Sequence, residues 1–187
     1  MRVIGGQARG TRIPSSHKKA LRPTSSLVRE ALFNILGSIE GLSWLDLYAG
    51  TGSVGIEALS RGAKKVVFVE KNAQLVKTIA HYLKKMGYEE RSRAILGDVK
   101  AVVKRLGRLG ESFDIIFADP PYNLDFVNRT MEICQEAGIL TGGGLLIIQH
   151  SHKEALNVSL IHEPWKKVDK RHYGDTDLSI IKYEKEN

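Results

Sequence analysis

Residues 46–55 read DLYAGTGSVG, and they are the most informative part of the chain about its fold class. Gly50, Gly52 and Gly55 have the spacing G-x-G-x-x-G, after the strand pattern SWLDLY and before the helix pattern SVGIEALSRG. Glycines at such positions let the backbone turn tightly and let a ligand approach closely. The next predicted strand, KVVFVE, ends in Glu70, whose carboxylate can accept hydrogen bonds from both ribose hydroxyls. The pattern predicts a site for an adenosine-containing cofactor, with a purely structural turn as the alternative.

Strand and helix patterns alternate on both sides of this stretch. The apolar, undivided strand patterns SWLDLY, KVVFVE, SRAILG, FDIIFAD and GGLLIIQH are each separated by a helix pattern. Such alternation predicts a mostly parallel sheet covered on both faces, a doubly wound α/β fold that binds ligands at the carboxyl ends of its strands. Two last strand patterns, WKKVDKRHY and DLSIIKYE, flank the turn signal Gly174-Asp175 and predict an antiparallel C-terminal hairpin.

The N-terminal residues differ from the rest of the chain in charge. The net charge is +7, and residues 1–29 hold seven Lys and Arg side chains and no acid, whereas the remaining 21 Lys and Arg are matched by 21 Asp and Glu. The segment RVIGGQARGTRI predicts a small hairpin. A basic arm on a neutral body favours nucleic acid as partner, and a solvated tail is the alternative. The candidate contacts are Arg2, Arg9, Arg12, Lys18 and Lys19.

Length and composition exclude several classes of protein. The 187 residues predict one domain, with residues 1–22 as the basic extension and residues 23–187 as the body. No apolar run is long enough to span a membrane, and no signal-peptide core is visible, so we expect a cytoplasmic protein. One cysteine and six histidines without ligand spacing give no metal site. One core accounts for the apolar residues, so we expect a monomer.

Two acids distinguish between NAD and S-adenosylmethionine, the cofactors that fit the glycine pattern. Asp46 ends the first predicted strand, where its carboxylate would repel a pyrophosphate but suits the ammonium group of a methionine moiety. Asp98 ends the third predicted strand and can accept from an adenine amino group, with the Val99 N–H facing the ring. Asp98 is also a candidate N-cap of the next helix, and the two roles can coexist. The acids favour S-adenosylmethionine.

Residues 118–122 read ADPPY and follow the fourth apolar strand pattern directly. Proline fixes its own φ and pushes the preceding residue into an extended shape, so Asp119 and the Pro120 carbonyl become two fixed acceptors for a planar NH2 group. Tyr122 can stack on the ring that carries this amine. Acceptors that hold both hydrogens can aim the nitrogen lone pair at a sulfonium methyl. We predict that Asp119, Pro120, Pro121 and Tyr122 bind an exocyclic or side-chain amine; a strand-ending turn is the alternative.

Together, DLYAGTG…EALSRGA, DPPY, RPTSSLVREALFNIL and the basic, glycine-rich start resemble the RsmD-type methyltransferases. The resemblance covers nearly the whole chain. It implies a seven-stranded Rossmann-like methyltransferase sheet, S-adenosylmethionine as donor, and methylation of a guanine N2 in small-subunit (16S) ribosomal RNA. It also implies that the N-terminal segment holds RNA, and that the target guanine lies against residues 119–122. The implied cofactor-binding residues are Arg22, Pro23, Thr24, Asp46, Tyr48, Ala49, Gly50, Thr51, Gly52, Glu70, Lys71, Asp98 and Val99.

Three other functions stay open at this point. An adenine-N6 methyltransferase acting on DNA or RNA would use the same amine pocket, and DPPY alone does not separate it from a guanine enzyme. A NAD-dependent oxidoreductase is disfavoured by Asp46 and by the lack of a catalytic Tyr-Lys or His pair in the motifs. A non-enzymatic RNA-binding assembly factor would explain the basic arm but leaves ADPPY without a role.

Overall fold

The computed structural model describes residues 1–13, 26–122 and 125–185. The predictions for Lys18, Lys19, Arg22, Pro23 and Thr24 lie outside these ranges. The chain divides into two compact units, Met1–Asp98 and Val99–Asn187. The predicted boundary between a basic extension and a body at residue 22 stays a prediction.

The first unit is a three-stranded parallel sheet with its helices. An N-terminal hairpin, bridged at Arg2 and Arg12, comes first. The elements that follow are α1 (Ser26–Leu36), β1 (Ser43–Leu47), α2 (Ser53–Ser60), β2 (Lys65–Glu70), α3 (Ala73–Lys85), a 3-10 turn (Glu89–Arg91) and β3 (Ser92–Leu96). The strand order is β3-β2-β1, with all pairs parallel. The glycine loop and the acidic residues of the sequence motifs therefore lie at the same edge of the sheet, where the carboxyl ends of these strands meet.

Local sequence explains where these elements begin and end. All five residues of β1 are buried, as expected for a strand covered on both faces. The Asn72 side chain caps α3 and accepts from the N–H groups of Gln74 at 2.9 Å and Leu75 at 3.3 Å, two donors that have no partner within the helix. Gly87, with φ 70°, follows the end of α3, in the left-handed conformation that commonly ends a helix.

In its described residues, the second unit holds four strands and two α-helices. The elements are α4 (Val99–Arg108), β4 (Phe113–Ala118), α5 (Phe126–Ala137), β5 (Leu140–Ser151), a 3-10 turn (Val158–Leu160), β6 (Trp165–Tyr173) and β7 (Thr176–Tyr183). The order is β4-β5-β7-β6. Strands β4 and β5 are parallel, and β7 is antiparallel to both β5 and β6. The predicted C-terminal hairpin is confirmed, and the two units together supply seven strands.

Two further findings concern the described part of the chain. None of its helices combines the length and the apolar character that crossing a membrane requires.

Cys134 on α5 is buried, and burial raises the pKa of its thiol to about 12, so this thiol stays protonated at neutral pH.

Candidate functional site

The first unit brings most of the predicted cofactor residues to the carboxyl ends of its three strands. The loop after β1 is tied to the end of β2, because the Ala49 N–H donates to the Val69 carbonyl at 3.0 Å. The end of β2 is tied to the segment after β3, because the Gly97 N–H donates to the Glu70 carbonyl at 3.1 Å. Parallel pairing thus gathers side chains that lie far apart in sequence.

Glu70 is fixed by the backbone on both sides of its carboxylate. Oε2 accepts from the Gly50 N–H at 2.8 Å, and Oε1 accepts from the Asn72 N–H at 2.8 Å. A carboxylate oxygen can accept more than one hydrogen bond, so each oxygen keeps acceptor capacity. The carboxylate is therefore preoriented and can still accept from a pair of ribose hydroxyls.

Asp46 is buried at the end of β1 and is linked to the start of α2. Its Oδ2 accepts from the Gly55 N–H at 2.9 Å. Gly55 is needed for packing, because a Cβ there would lie 2.3 Å from Cε1 of Phe68 and 3.0 Å from Oδ2 of Asp46. The third glycine of the motif therefore lets α2 approach β2 and the Asp46 carboxylate closely.

The loop between β1 and α2 contains three left-handed residues, Tyr48, Gly50 and Gly52, and the cost of this conformation differs between glycine and tyrosine. Gly52, the N-cap residue of α2, has φ 76°, and glycine adopts this left-handed conformation freely. Tyr48 has φ 58°, which costs a bulky side chain on the order of 1–3 kcal/mol. Backbone strain of this kind concentrates at ligand sites, and no pattern around Tyr48 in the sequence signals it.

The remaining cofactor candidates of this edge differ in exposure. Thr51 is buried, Ala49 is half-buried, and Lys71 is exposed directly after β2. Asp98 is exposed one residue after Gly97 and directly precedes α4, so its position suits both predicted roles. Val99 is the buried first residue of α4.

The amine-binding candidates follow β4 in the second unit. Asp119 comes directly after Ala118, the last residue of this strand, and is half-buried. Pro120 is buried, Pro121 is exposed and Tyr122 is half-buried. The four residues therefore stand at the carboxyl end of a buried parallel strand, where the sequence predicts them.

The N-terminal hairpin packs on the C-terminal half of α2. The N–H groups of Ile4 and Gly5 donate to the two carboxylate oxygens of Glu57 at 2.8 and 2.7 Å. The Ser60 hydroxyl accepts from the Ala8 N–H at 2.9 Å and donates to the Gly5 carbonyl at 2.6 Å. The hairpin is therefore a folded part of the first unit, and it presents the exposed side chains of Arg2, Arg9 and Arg12.

Glu57 is the functional candidate that sequence reasoning missed. Its side chain is 0% exposed and takes a hydrogen bond from Arg61 Nε at 2.9 Å, and Arg29 Nε lies 3.7 Å from Oε2. Arg29 is itself buried and donates from Nη2 to the Arg2 carbonyl at 2.6 Å. Burial lowers the pKa of this guanidinium, and the Glu57 charge opposes that shift. Only Arg61, at i+4, lies within the pattern EALSRG; the other partners lie up to 53 residues away in sequence, and no local pattern signals them.

Comparisons with known proteins agree with this architecture. A family model described as Conserved hypothetical protein 95 matches residues 1–182. The chain is similar to the ribosomal RNA small subunit methyltransferase D of Escherichia coli K12, with 32% identity over 83% of this chain and 77% of that protein. The protein of the same name from Buchnera aphidicola subsp. Baizongia pistaciae is 31% identical over 93% of this chain and 90% of its own.

A solved structure covers almost the entire fold. The hypothetical protein TTHA0928 of Thermus thermophilus superposes with a TM-score of 0.82 and 28% identity, and covers 96% of this chain and 98% of its own. The predicted doubly wound α/β fold is thereby confirmed for the chain as a whole.

Proposed function

We propose that this chain, which belongs to the Conserved hypothetical protein 95 family, methylates the exocyclic N2 amine of a guanine in small-subunit (16S) ribosomal RNA. The resemblance to the RsmD-type methyltransferases is confirmed by the family match and by the relatives of that name. The observation that carries the proposal is this similarity over most of the chain, in which the glycine loop and DPPY are both intact. The protein is an enzyme, and its methyl donor is S-adenosylmethionine.

The edge of the first unit fits this donor. Glu70 would accept from the ribose hydroxyls with the lone pairs that its bonds to Gly50 and Asn72 leave over. Asp46 would hold the methionine ammonium, and Asp98 the adenine amino group. The glycine loop from Gly50 to Gly52, with Thr51, would follow the cofactor closely. When bound, the sulfonium supplies an electrophilic methyl group.

The target amine would be held by residues 119–122. A guanine N2 is a poor nucleophile because its lone pair is delocalised into the ring. Asp119 and the Pro120 carbonyl would accept its two hydrogens and aim the lone pair, so orientation and electrostatics would carry the rate. Asp119 or water would take the proton after transfer. Tyr122 would stack on the guanine.

The substrate is an RNA, and its form is part of the proposal. The guanine must leave its stack to enter the amine pocket, so it is unpaired or flipped in the small subunit or in an assembly intermediate. We assign the reaction to the cytoplasm and to a monomer. In the described residues, the large exposed apolar side chains are scattered over separate segments of the chain rather than on one element: Leu27, Leu96, Leu109, Val158 and Val168.

Asp119→Ala tests the assignment of the amine pocket. We expect the rate of methyl transfer to fall by at least about 100-fold, because one acceptor for the target amine is lost. The affinity for S-adenosylmethionine, measured by calorimetry, should not change. Asp114→Asn is the matched control on the same strand, since Asp114 accepts from the Thr141 hydroxyl at 2.9 Å and has no assigned role in the reaction.

Glu70→Ala is the complementary variant. It should weaken cofactor binding, because the proposed ribose acceptor is removed. Near-normal turnover of Asp119→Ala would refute the role of that carboxylate, and an unchanged cofactor affinity of Glu70→Ala would refute the ribose assignment.

A further inference from the structure

Two arginines face each other across the N-terminal hairpin. Arg2 and Arg12 are partners in an antiparallel bridge. The flanking hydrogen bonds run from the Val3 N–H to the Thr11 carbonyl and from the Ile13 N–H to the Met1 carbonyl, both at 3.0 Å. This pattern makes Arg2 and Arg12 a non-hydrogen-bonded pair, whose Cα atoms lie about 4.5 Å apart with side chains on the same face.

This arrangement is unfavourable for the hairpin alone. Both side chains are exposed, and like charges directly opposite on paired strands repel each other. Guanidinium groups do not lose their charge at physiological pH. Within residues 1–13, 26–122 and 125–185, no carboxylate forms an ion pair with either group. An anion between the two guanidinium groups would convert the repulsion into two charge-assisted interactions.

The hairpin also has a fixed position on α2. Glu57 and Ser60 together hold the backbone at Ile4, Gly5 and Ala8. The contact is close, because a Cβ at Gly6 would lie 1.9 Å from the Ser60 carbonyl oxygen. The positions of the two arginines relative to the glycine loop are therefore set by the first unit itself.

We propose that Arg2 and Arg12 form one phosphate-binding pair for the RNA backbone, and that Glu57 and Ser60 are positioning residues that fix this pair. The assignment of RNA as the source of the phosphate rests on the proposed function. A single phosphodiester bridges both guanidinium groups, and Arg–phosphate contacts can be bidentate.

The number of phosphates is measurable from the salt dependence of binding. We would measure binding of 16S ribosomal RNA to the wild type, Arg2→Ala, Arg12→Ala and the double variant over a range of salt. Each single change should weaken binding about tenfold, as expected for loss of a charge-assisted hydrogen bond. The logarithm of the affinity falls linearly with the logarithm of the salt concentration. The double variant should make this slope less steep by about 0.7–0.9, the value for one phosphate.

Other results would refute the proposal that Arg2 and Arg12 bind one phosphate together. A decrease in slope about twice as large means that each arginine binds its own phosphate. Unchanged affinity means that the hairpin does not contact the RNA. Lys77→Ala, an exposed cation on α3, is the control and should bind like the wild type. Replacing both arginines by lysine should restore part of the affinity, because charge is kept while the guanidinium fork is lost.

Gly6→Ala tests whether docking on α2 is required. Gly6 and Gly37 have similar left-handed φ angles of 74° and 66°, but a Cβ at Gly37 meets nothing within 4 Å. Both variants carry the backbone cost, and only Gly6→Ala moves the hairpin. We expect Gly6→Ala to weaken RNA binding about tenfold with unchanged S-adenosylmethionine affinity, and Gly37→Ala to change neither. Equal effects of the two variants would contradict the positioning role.

The two proposals fail in different ways. A wild type that binds RNA but transfers no methyl group would refute the proposed function and leave the phosphate pair standing. A wild type that methylates ribosomal RNA, with variants that bind RNA as it does, would refute only the phosphate pair.

Discussion

The N-terminal hairpin and the C-terminal hairpin are both basic, and both contain or contact one buried carboxylate. Glu57 is 0% exposed under the first hairpin, and Asp177 is 1% exposed within the second. The second hairpin, β6 and β7, carries the basic residues Lys166, Lys167, Lys170, Arg171 and His172. The sequence favours the first segment for RNA contact, because the net positive charge lies in residues 1–29, and a water-facing hairpin explains the second basic cluster almost as well.

The two hairpins differ in the ion-pair partners of their charged side chains. In the C-terminal hairpin, Asp177 pairs with Lys170 Nζ at 2.6 Å and with His172 Nδ1 at 2.7 Å, and Asp169 pairs with Arg171 Nε at 2.6 Å. Under the N-terminal hairpin, the carboxylate of Glu57 on α2 instead accepts from two backbone N–H groups of the hairpin and pairs with Arg29 and Arg61. Lys170 and Arg171 of the second hairpin are thus each paired with a carboxylate of the same hairpin, whereas no carboxylate of the described residues pairs with Arg2 or Arg12.

The largest expected effect is that of Glu57→Gln. This change leaves Arg29 and Arg61 without their buried counter-charge, and breaking a buried pair costs about 3–5 kcal/mol. We expect that decrease in the free energy of unfolding, measured by urea denaturation. Ser60→Ala is the milder companion, since it removes only the hydroxyl that bridges Ala8 and Gly5. A fully stable Glu57→Gln protein would show that the hairpin is held by other contacts.

Asp177→Asn should have the second largest effect. Burial alone would raise the pKa of Asp177, but hydrogen bonds from Lys170 and His172 outweigh it, and the pKa lies below its usual value. A lowered carboxyl pKa adds stability above the unfolded-state pKa of about 3.9, which is lost as pH falls through the lower folded-state pKa. We expect a loss of about 1–3 kcal/mol at neutral pH, the cost of removing charge-assisted hydrogen bonds.

The pH dependence provides the check on Asp177. Urea unfolding from neutral pH into the acid range should show a smaller acid-dependent loss of stability in Asp177→Asn than in the wild type. Parallel curves for the two proteins would mean that Asp177 titrates alike in the folded and unfolded states, and that its two partners stabilise nothing.

The smallest expected effect is that of Arg171→Ala. This exposed side chain is paired with Asp169, and surface pairs contribute about 0–1 kcal/mol. RNA affinity should change by less than about twofold, against about tenfold for Arg12→Ala. A filter-binding comparison of the two variants decides the matter: a loss for Arg171→Ala as large as that for Arg12→Ala would remove the distinction between the hairpins.

Local patterns predicted the elements of this fold well, because their causes are local. The strand KVVFVE and the strand WKKVDKRHY have the predicted bounds, Lys65–Glu70 and Trp165–Tyr173. The cap at Asn72 follows from its own side chain and the next three residues. Candidate site residues at strand ends could be predicted for the same reason, since a parallel sheet places them at one edge.

Sequence patterns did not reveal which charged side chains are paired, because these pairs form between residues far apart or on different elements. Arg29 is one of the seven cations of residues 1–29, but it is buried against Glu57, which lies on another helix. Lys170 belongs to a basic run, but its charge is taken up by Asp177 on the neighbouring strand. Which charges stay free for a ligand depends on such pairings, and composition does not encode them.

The most direct test of the proposed function is to identify the methylated nucleoside. Purified protein would receive S-adenosylmethionine with a labelled methyl group, and unmodified small ribosomal subunits, naked ribosomal RNA and DNA in parallel. We expect N2-methylguanosine in digests of the ribosomal material. Labelled N6-methyladenine in its place, or no label from a protein that binds S-adenosylmethionine, would contradict it.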